Sequence, residues 1–324
     1  MDIDALRKRF PNEDACRKFF EAVLWKQGRS CPRCLNMKSY PLKSRKRLYE
    51  CAHCKRQFTV TCQTPMHSTK LPLWKWLLAM FLMASSSKGL SSVSLGKWIG
   101  ISQKSAWKLG HAIRQMMDVG DELLPALNGI VELDEKYVGG KPRYQKGVAH
   151  PRGKATKKEC VFIAVERCGP VRTAHIGNDS IDELEPAVTQ FVDKDAHLMT
   201  DQLPSYKRIG LRYASHQSVN HSLKEYARGD AHNNTAESFG ALVERAKQGV
   251  FHFWSSNHLN RYLHELAFRW NHREPELKRT RKGRLKLVMK PMPVMTILRS
   301  LISSAAGRQL RRSTNGGIIC LEPI

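Results

Sequence analysis

Two Cys-x-x-Cys turns, CPRC (Cys31 and Cys34) and CAHC (Cys51 and Cys54), stand sixteen residues apart near the start of the chain. Each turn can offer two sulfurs to one ion, and four thiolates suit tetrahedral Zn²⁺. The spacing predicts a zinc ribbon, with YPLKSRKRLYEC as the hairpin between its two knuckles. Four cysteine ligands leave no open coordination position, so this zinc is structural. His53, inside the second turn, is a rival ligand. The other five cysteines, Cys16, Cys62, Cys160, Cys168 and Cys320, are scattered and read as packing residues. With no apolar leader at MDIDALRKRFPNED, this usage suits a reducing, cytoplasmic setting.

Charge names the partner class. The chain carries 54 Lys and Arg against 29 Asp and Glu, a formal charge of +25 over 324 residues, which points to a polyanion such as double-stranded DNA. A membrane is the competing polyanion, but the longest apolar run, LLAMFLMA at 77–84, falls far short of the roughly 20 residues a span needs. The length suggests two to three domains, and the chain divides into an N-terminal helix and ribbon (1–68), a helical segment (69–127), a strand-rich domain (128–275) and a basic tail (276–324). Within the helical segment, Ser91 or Ser92 can cap one helix, Gly100 supplies a sharp turn and Ser102 caps a second helix, the order of a helix-turn-helix. Gln103, Lys104 and Lys108 would then face DNA.

From residue 128 the period changes. GIVELDEKYVGG, ECVFIAVERCG and VRTAHIGN read as three strands, SIDELEPAVTQFVD as a helix, DAHLMTD as a fourth strand and HNNTAESFGALVERAKQG as a later helix. Three sequential strands and a helical crossover to a fourth give a mixed α/β, ribonuclease-H-like core, a central sheet flanked by helices. The basic loop after the first strand holds Lys141, Arg143, Lys146, Arg152, Lys154, Lys157 and Lys158, which can grip phosphates or form a solvated face.

If the first and fourth strands are neighbours, Asp134, Asp201 and Glu237 can converge. Carboxylate oxygens from separate elements are what a pair of Mg²⁺ or Mn²⁺ ions requires for phosphodiester chemistry. Each also has a structural reading: Asp134 as a solvated strand residue, Asp201 as a turn cap, and Glu237 as partner to Asn234 in a capping box. Glu132 and Asp134 alternate onto one strand face and spacing does not separate them, whereas Glu135 points to the other. His221 and His232 lie near the helix start, where histidines more often serve as structural hydrogen-bonding groups.

The blocks VELDEKYVGGK, TDQLPSYK and NTAESFGALVERAKQGVFHFWSSNHLNRYLHELAFRWNHR resemble those of bacterial insertion-sequence transposases of the DDE type, in the group with an N-terminal zinc ribbon. Ribbon, helix-turn-helix, three acidic blocks and the RYLHELAFRWNHR helix occur in the family's order over nearly the whole chain. The resemblance implies Asp134, Asp201 and Glu237 as metal ligands and disfavours Glu132. Some relatives have asparagine as the third group, which brings in Asn234. Members often carry lysine seven residues after the glutamate; here that position is Glu244, and Arg245 is the best substitute, with Lys247 close by. What the family implies is binding of terminal inverted repeats, metal-dependent 3′-end cleavage and strand transfer into target DNA, in a homodimer or higher assembly. A zinc-ribbon DNA-binding regulator without catalysis and a metal nuclease without strand transfer are the alternatives.

Overall fold

A computed structural model describes residues 1–43, 45, 47–118, 120, 124–140, 146–147, 158–219, 231–281, 283–312 and 318–320. The chain divides into two units, one made of Met1–Asp118 with Met292–Ile324, the other of Val119–Pro291.

The first unit begins with α1 (Ile3–Arg9) and α2 (Glu13–Leu24), whose orphan N–H groups are met by Asp2 at 2.7 Å and Asn12 at 2.9 Å. Three short antiparallel strands follow, β1 (Ser39–Pro41), β2 (Tyr49–Cys51) and β3 (Gln57–Phe58). Trp25, Tyr49 and Phe58 pack their rings beside the cysteine knuckles, giving this small sheet its apolar support. In α3 (Leu73–Ser85) residues on almost every side are apolar and buried; its first N–H groups, on Leu73 and Trp74, donate to the carboxylate of Glu13.

Next come α4 (Ser92–Ile99) and α5 (Gln103–Met117), with Ser91 and Ser102 capping them through Ser94 and Ser105 N–H and Gly100 turning between them at φ +64°. The two helices cross closely at Gly96, where a Cβ would stand 2.9 Å from the Ile101 carbonyl oxygen and 3.4 Å from Ala106 Cβ. Backbone cannot give way as a flexible side chain can. Gly96→Ala should therefore cost about 1–3 kcal/mol, read as a lower denaturation midpoint; an unchanged midpoint would count against this packing.

The second unit is built on a five-stranded sheet of order β6-β5-β4-β7-β8. Its strands are β4 (Ile130–Val138), β5 (Glu159–Glu166), β6 (Val171–Ile176), β7 (His197–Asp201) and β8 (Ser215–Val219). The first three form an antiparallel meander, and β7 and β8 add in parallel beside β4, through crossovers that use α6 (Ile181–Phe191) and α7 (Pro204–Gly210). This is the ribonuclease-H-like arrangement. The continuous apolar run CVFIAV in β5 suits a strand covered on both faces. One face, with Val131, Leu133 and Phe162, packs on Leu184, Val188 and Phe191 of α6 and Tyr206 and Ile209 of α7. The other, with Val161, Ile163 and Val165, packs on α8 (Asn234–Ala246) and α9 (Ser256–Asn271).

After α9 the chain makes an antiparallel hairpin of β9 (Arg273–Arg279) and β10 (Leu285–Pro291), then returns to the first unit as α10 (Val294–Ser303). Ile297, Leu298, Leu301 and Ile302 of α10 are buried there, against α2, α3 and α5. The stretch from residue 276, a basic tail by composition, thus holds a strand pair and a core helix. A last short strand pair joins Leu310–Arg312 to Ile318–Cys320. Among the described residues no helix is long and apolar enough to cross a membrane.

Candidate active site and metal centres

Sheet register determines where the acidic blocks meet. On parallel strands, Ile130, Val131 and Glu132 of β4 lie opposite His197, Leu198 and Met199 of β7. Two residues further along each strand come Asp134 and Asp201, level with one another on the same face and just beyond the last paired rung. Adjacent strands run only about 4.8 Å apart. Asp134 accepts from the Glu135 N–H at 2.9 Å, and Asp201 from the Leu203 N–H at 3.0 Å, which fixes both carboxylates against their own backbone.

Helix α8 lies over β4 on this face. A Cβ at Gly240 would be 3.6 Å from Asp134 Oδ2, so this helix passes directly above that carboxylate. Glu237, exposed and one turn before Gly240, projects from the same side. Burial, with the fields of Asp201 and Glu237 added, pushes the Asp134 carboxyl up to about 7, against the opposing pull of the Glu135 N–H and Lys136. Glu135 points to the opposite face, toward Tyr206 of α7, where burial raises it to about 8. Among the described residues, only the four cysteines bring three or more such ligand atoms within 4.8 Å of one another. Asp134, Asp201 and Glu237 do not gather that closely. Hard oxygen donors repelling one another in a partly buried site fit divalent cations of the Mg²⁺ or Mn²⁺ kind.

The start of α8 differs from the capping box the sequence suggested. Asn233 is the N-cap, its side chain makes no cap bond within the helix, and the Glu237 N–H donates to the Asn233 carbonyl. The cap comes from another element. Glu132, fully buried on β4, accepts from the N–H of Thr235 at 2.6 Å and of Ala236 at 3.1 Å, and from the Thr235 hydroxyl at 3.1 Å. Its other contacts are Arg167 Nε at 2.7 Å and His232 Nδ1 at 3.2 Å, while a second nitrogen of Arg167 donates to the His232 carbonyl. Asn233 ties the same turn to β4 by donating to the Leu133 carbonyl at 2.8 Å. Glu132 therefore holds the helix that carries Glu237, and its carboxylate is committed to that task. Periodicity could place Glu132 on the face of Asp134; it could not reveal a partner a hundred residues away.

The DNA-facing candidates divide. Gln103, Lys104 and Lys108 are exposed on α5, with the Gln103 amide donating to Ser92 Oγ at 2.9 Å. Arg245 is exposed near the end of α8. Lys247, in the π-helical turn Lys247–Phe251 that extends α8, donates to the Gly139 carbonyl just past β4. Lys158 is half-buried and packs beside Gly139. Asn234 is exposed in the first turn of α8. Lys141, Arg143, Arg152, Lys154, Lys157 and His221 lie outside the described residues.

In the first unit the four cysteine sulfurs face one another, with Cys31 and Cys54 3.6 Å apart and Cys34 and Cys51 3.5 Å apart. A tetrahedron of sulfurs about 2.3 Å from zinc has edges of about 3.8 Å, so the cluster fits that ion closely. Backbone N–H groups of Cys54 and His53 pull the Cys51 thiol down, while burial and the neighbouring sulfurs push the facing Cys34 thiol up. The expected zinc content is one ion per chain, and Cys51→Ser should lose it; metal analysis after dialysis gives the answer, and full retention would contradict a four-sulfur site.

Comparison with known proteins agrees with this architecture. Residues 126–271 match the model of the ISXO2-like transposase domain and residues 11–57 that of a transposase zinc-ribbon domain, together more than half of the chain. An uncharacterized protein in transposable element ISH50 of Halobacterium salinarum is 27% identical over 257 residues, covering 74% of this chain and 84% of its own. The chain belongs to the DDE-type insertion-sequence transposases that carry an N-terminal zinc ribbon. Among solved structures, the Mos1 strand transfer complex is 12% identical with a TM-score of 0.22, covering 60% of this chain and 76% of that one. The mariner Mos1 paired end complex with Mn is 13% identical with a TM-score of 0.26, covering 71% and 78%. Likeness at that level decides nothing about this site.

Proposed function

We propose that this transposase binds the terminal inverted repeats of its element, cleaves their 3′ ends and joins them to target DNA. The observation that supports this most is the sheet register that carries Asp134 of β4 and Asp201 of β7 onto the same face, under the helix α8 that bears Glu237. These three would hold two Mg²⁺ or Mn²⁺ ions, with Asn234 one turn ahead of Glu237 as a further oxygen donor. When bound, such ions supply Lewis acidity at the attacking and leaving oxygens of an in-line displacement.

The chain's own part is positioning. Register sets Asp134 beside Asp201, and Glu132 fixes the helix that presents Glu237. Arg245 near the end of α8, the basic loop after β4, and Gln103, Lys104 and Lys108 on α5 would bind phosphates and groove edges. In the first step water adds to phosphorus and the bond to the 3′ oxygen breaks, leaving a 3′ hydroxyl and a 5′ phosphate. In the second, that hydroxyl oxygen bonds a target phosphorus and the target's own 3′ oxygen leaves, its proton balance closed by solvent. Two element ends require at least two active sites, hence a homodimer or larger assembly.

Purified protein, Mg²⁺, a labelled duplex carrying one element end and a supercoiled target test this directly. Nicked ends followed by joined products are expected. Binding without cleavage would favour a regulator, and cleavage without joining a nuclease.

A further inference from the structure

The β9–β10 ribbon begins two residues past the last one matched by the transposase-domain model, and neither family model includes it. Its strands pair in full register over seven rungs, from Arg273↔Pro291 to Arg279↔Leu285, and each strand's main contacts are with the other. The root is fastened: Arg273 stacks on Trp270 at 3.5 Å and donates to its carbonyl. Beyond the root, residues on both faces are exposed, including Leu277 and Leu285 at 67% and 65%. A two-stranded hairpin without a covering layer is only marginally stable in water.

Charge along the ribbon is graded. At the root, Lys290 pairs with Glu276 at 3.0 Å and approaches Glu274 at 3.9 Å. Toward the tip, KRTRKGRLK (278–286) carries six basic residues and no acid. Lys278 and Lys286 stand directly opposite each other on one face, the arrangement that destabilises a strand pair. Arg279, on the other face, opposes Leu285. A solvated surface strand gains nothing from unopposed cross-strand lysines at a projecting tip; a polyanion laid along it removes their repulsion. Seven residues span about 23 Å, and the major groove of B-DNA, about 12 Å wide, admits a two-stranded ribbon.

We propose that the β9–β10 ribbon is a DNA-binding arm whose tip, through Lys278, Arg279, Arg284 and Lys286, lies against the phosphates of a duplex groove. This deepens the function proposed above and rests on it only in taking DNA as the polyanion. The leucines of the other face make self-association of two ribbons the competing use.

The test uses full-length protein and a 30-base-pair duplex, with affinity measured over a range of salt. For Lys278→Gln, Arg279→Gln and Lys286→Gln combined, the slope of log affinity against log salt should fall by about 2–3, near 0.9 for each lost phosphate contact. Affinity at low salt should fall at least tenfold. Bound duplex should also protect Lys278 and Lys286 of the unaltered protein from acetylation, a readout that does not depend on how the variant folds. Unchanged affinity and slope, or no protection, would overturn the proposal. If Leu277→Ser with Leu287→Ser dissociates a dimer while the triple variant binds DNA normally, the ribbon is a self-association surface. Cleavage dependent on Asp134 is scored separately, so a failed catalytic reading and a failed arm give different results.

Discussion

Asp134→Asn should reduce 3′-end cleavage by at least about 10³-fold, in line with losses at single groups that act as a unit, while duplex affinity stays within about twofold. Asp134 lies at the centre of the carboxylate set, pushed up to about 7 by burial and by Asp201 and Glu237. An amide keeps its shape and removes its charge, so loss of cleavage with retained binding isolates the electrostatic role. Glu237→Gln should behave alike, and the structure gives that experiment its meaning. Because Glu132 and not Glu237 satisfies the first N–H groups of α8, the substitution removes no cap. The helix start should stay formed, so helical circular dichroism is expected to match that of the parent. Undiminished cleavage in either variant would remove that residue from the active site.

Glu132→Ala should destabilise the second unit by about 3–5 kcal/mol, the range for breaking a buried ion pair by deleting one partner. The loss has two sources. Arg167 keeps its charge without the carboxylate 2.7 Å away, and the N–H groups of Thr235 and Ala236 lose their acceptor at a buried helix start. Urea unfolding would measure it. Glu132→Gln, which retains an oxygen for one N–H but faces Arg167 with no charge, should fall between Ala and the parent. A cost under 1 kcal/mol for Glu132→Ala would mean that α8 is held by its apolar stripe alone. Cleavage is expected to fall in the Ala variant even below its unfolding transition, since Glu237 rides on the loosened turn.

Strong local signals made much of the fold legible. The paired CxxC turns, Ser91, Gly100 and Ser102 around two short helices, and the apolar periods of β4, β5 and β6 are each readable within a dozen residues. Other parts carried no such signal. Ser215–Val219 is a polar run, SHQSV, with Val219 its one fully buried side chain; among the described residues it pairs with β7 alone, and its sequence shows no apolar alternation that would mark a strand. The amphipathic period of α10 sits among the charges of a stretch whose composition dominates its reading. Asp134, Asp201 and Glu237 could be nominated from sequence. Spacing left Glu132 and Asp134 equivalent and only the family resemblance favoured Asp134; the physical difference, that the first N–H groups of α8 sit on Glu132, involves a partner a hundred residues away.

The chain leaves the first unit at Asp118 and re-enters it at Met292, so the sheet-bearing unit is inserted between two pieces of its neighbour. Ile297, Leu298, Leu301 and Ile302, which complete the helical core, emerge from the ribosome only after the whole insert. At about 5–20 residues per second that is a delay on the order of ten to thirty seconds. During translation the helical unit is therefore left with an open apolar groove, and a nascent chain interrupted before α10 would carry the five-stranded sheet without a finished helical unit.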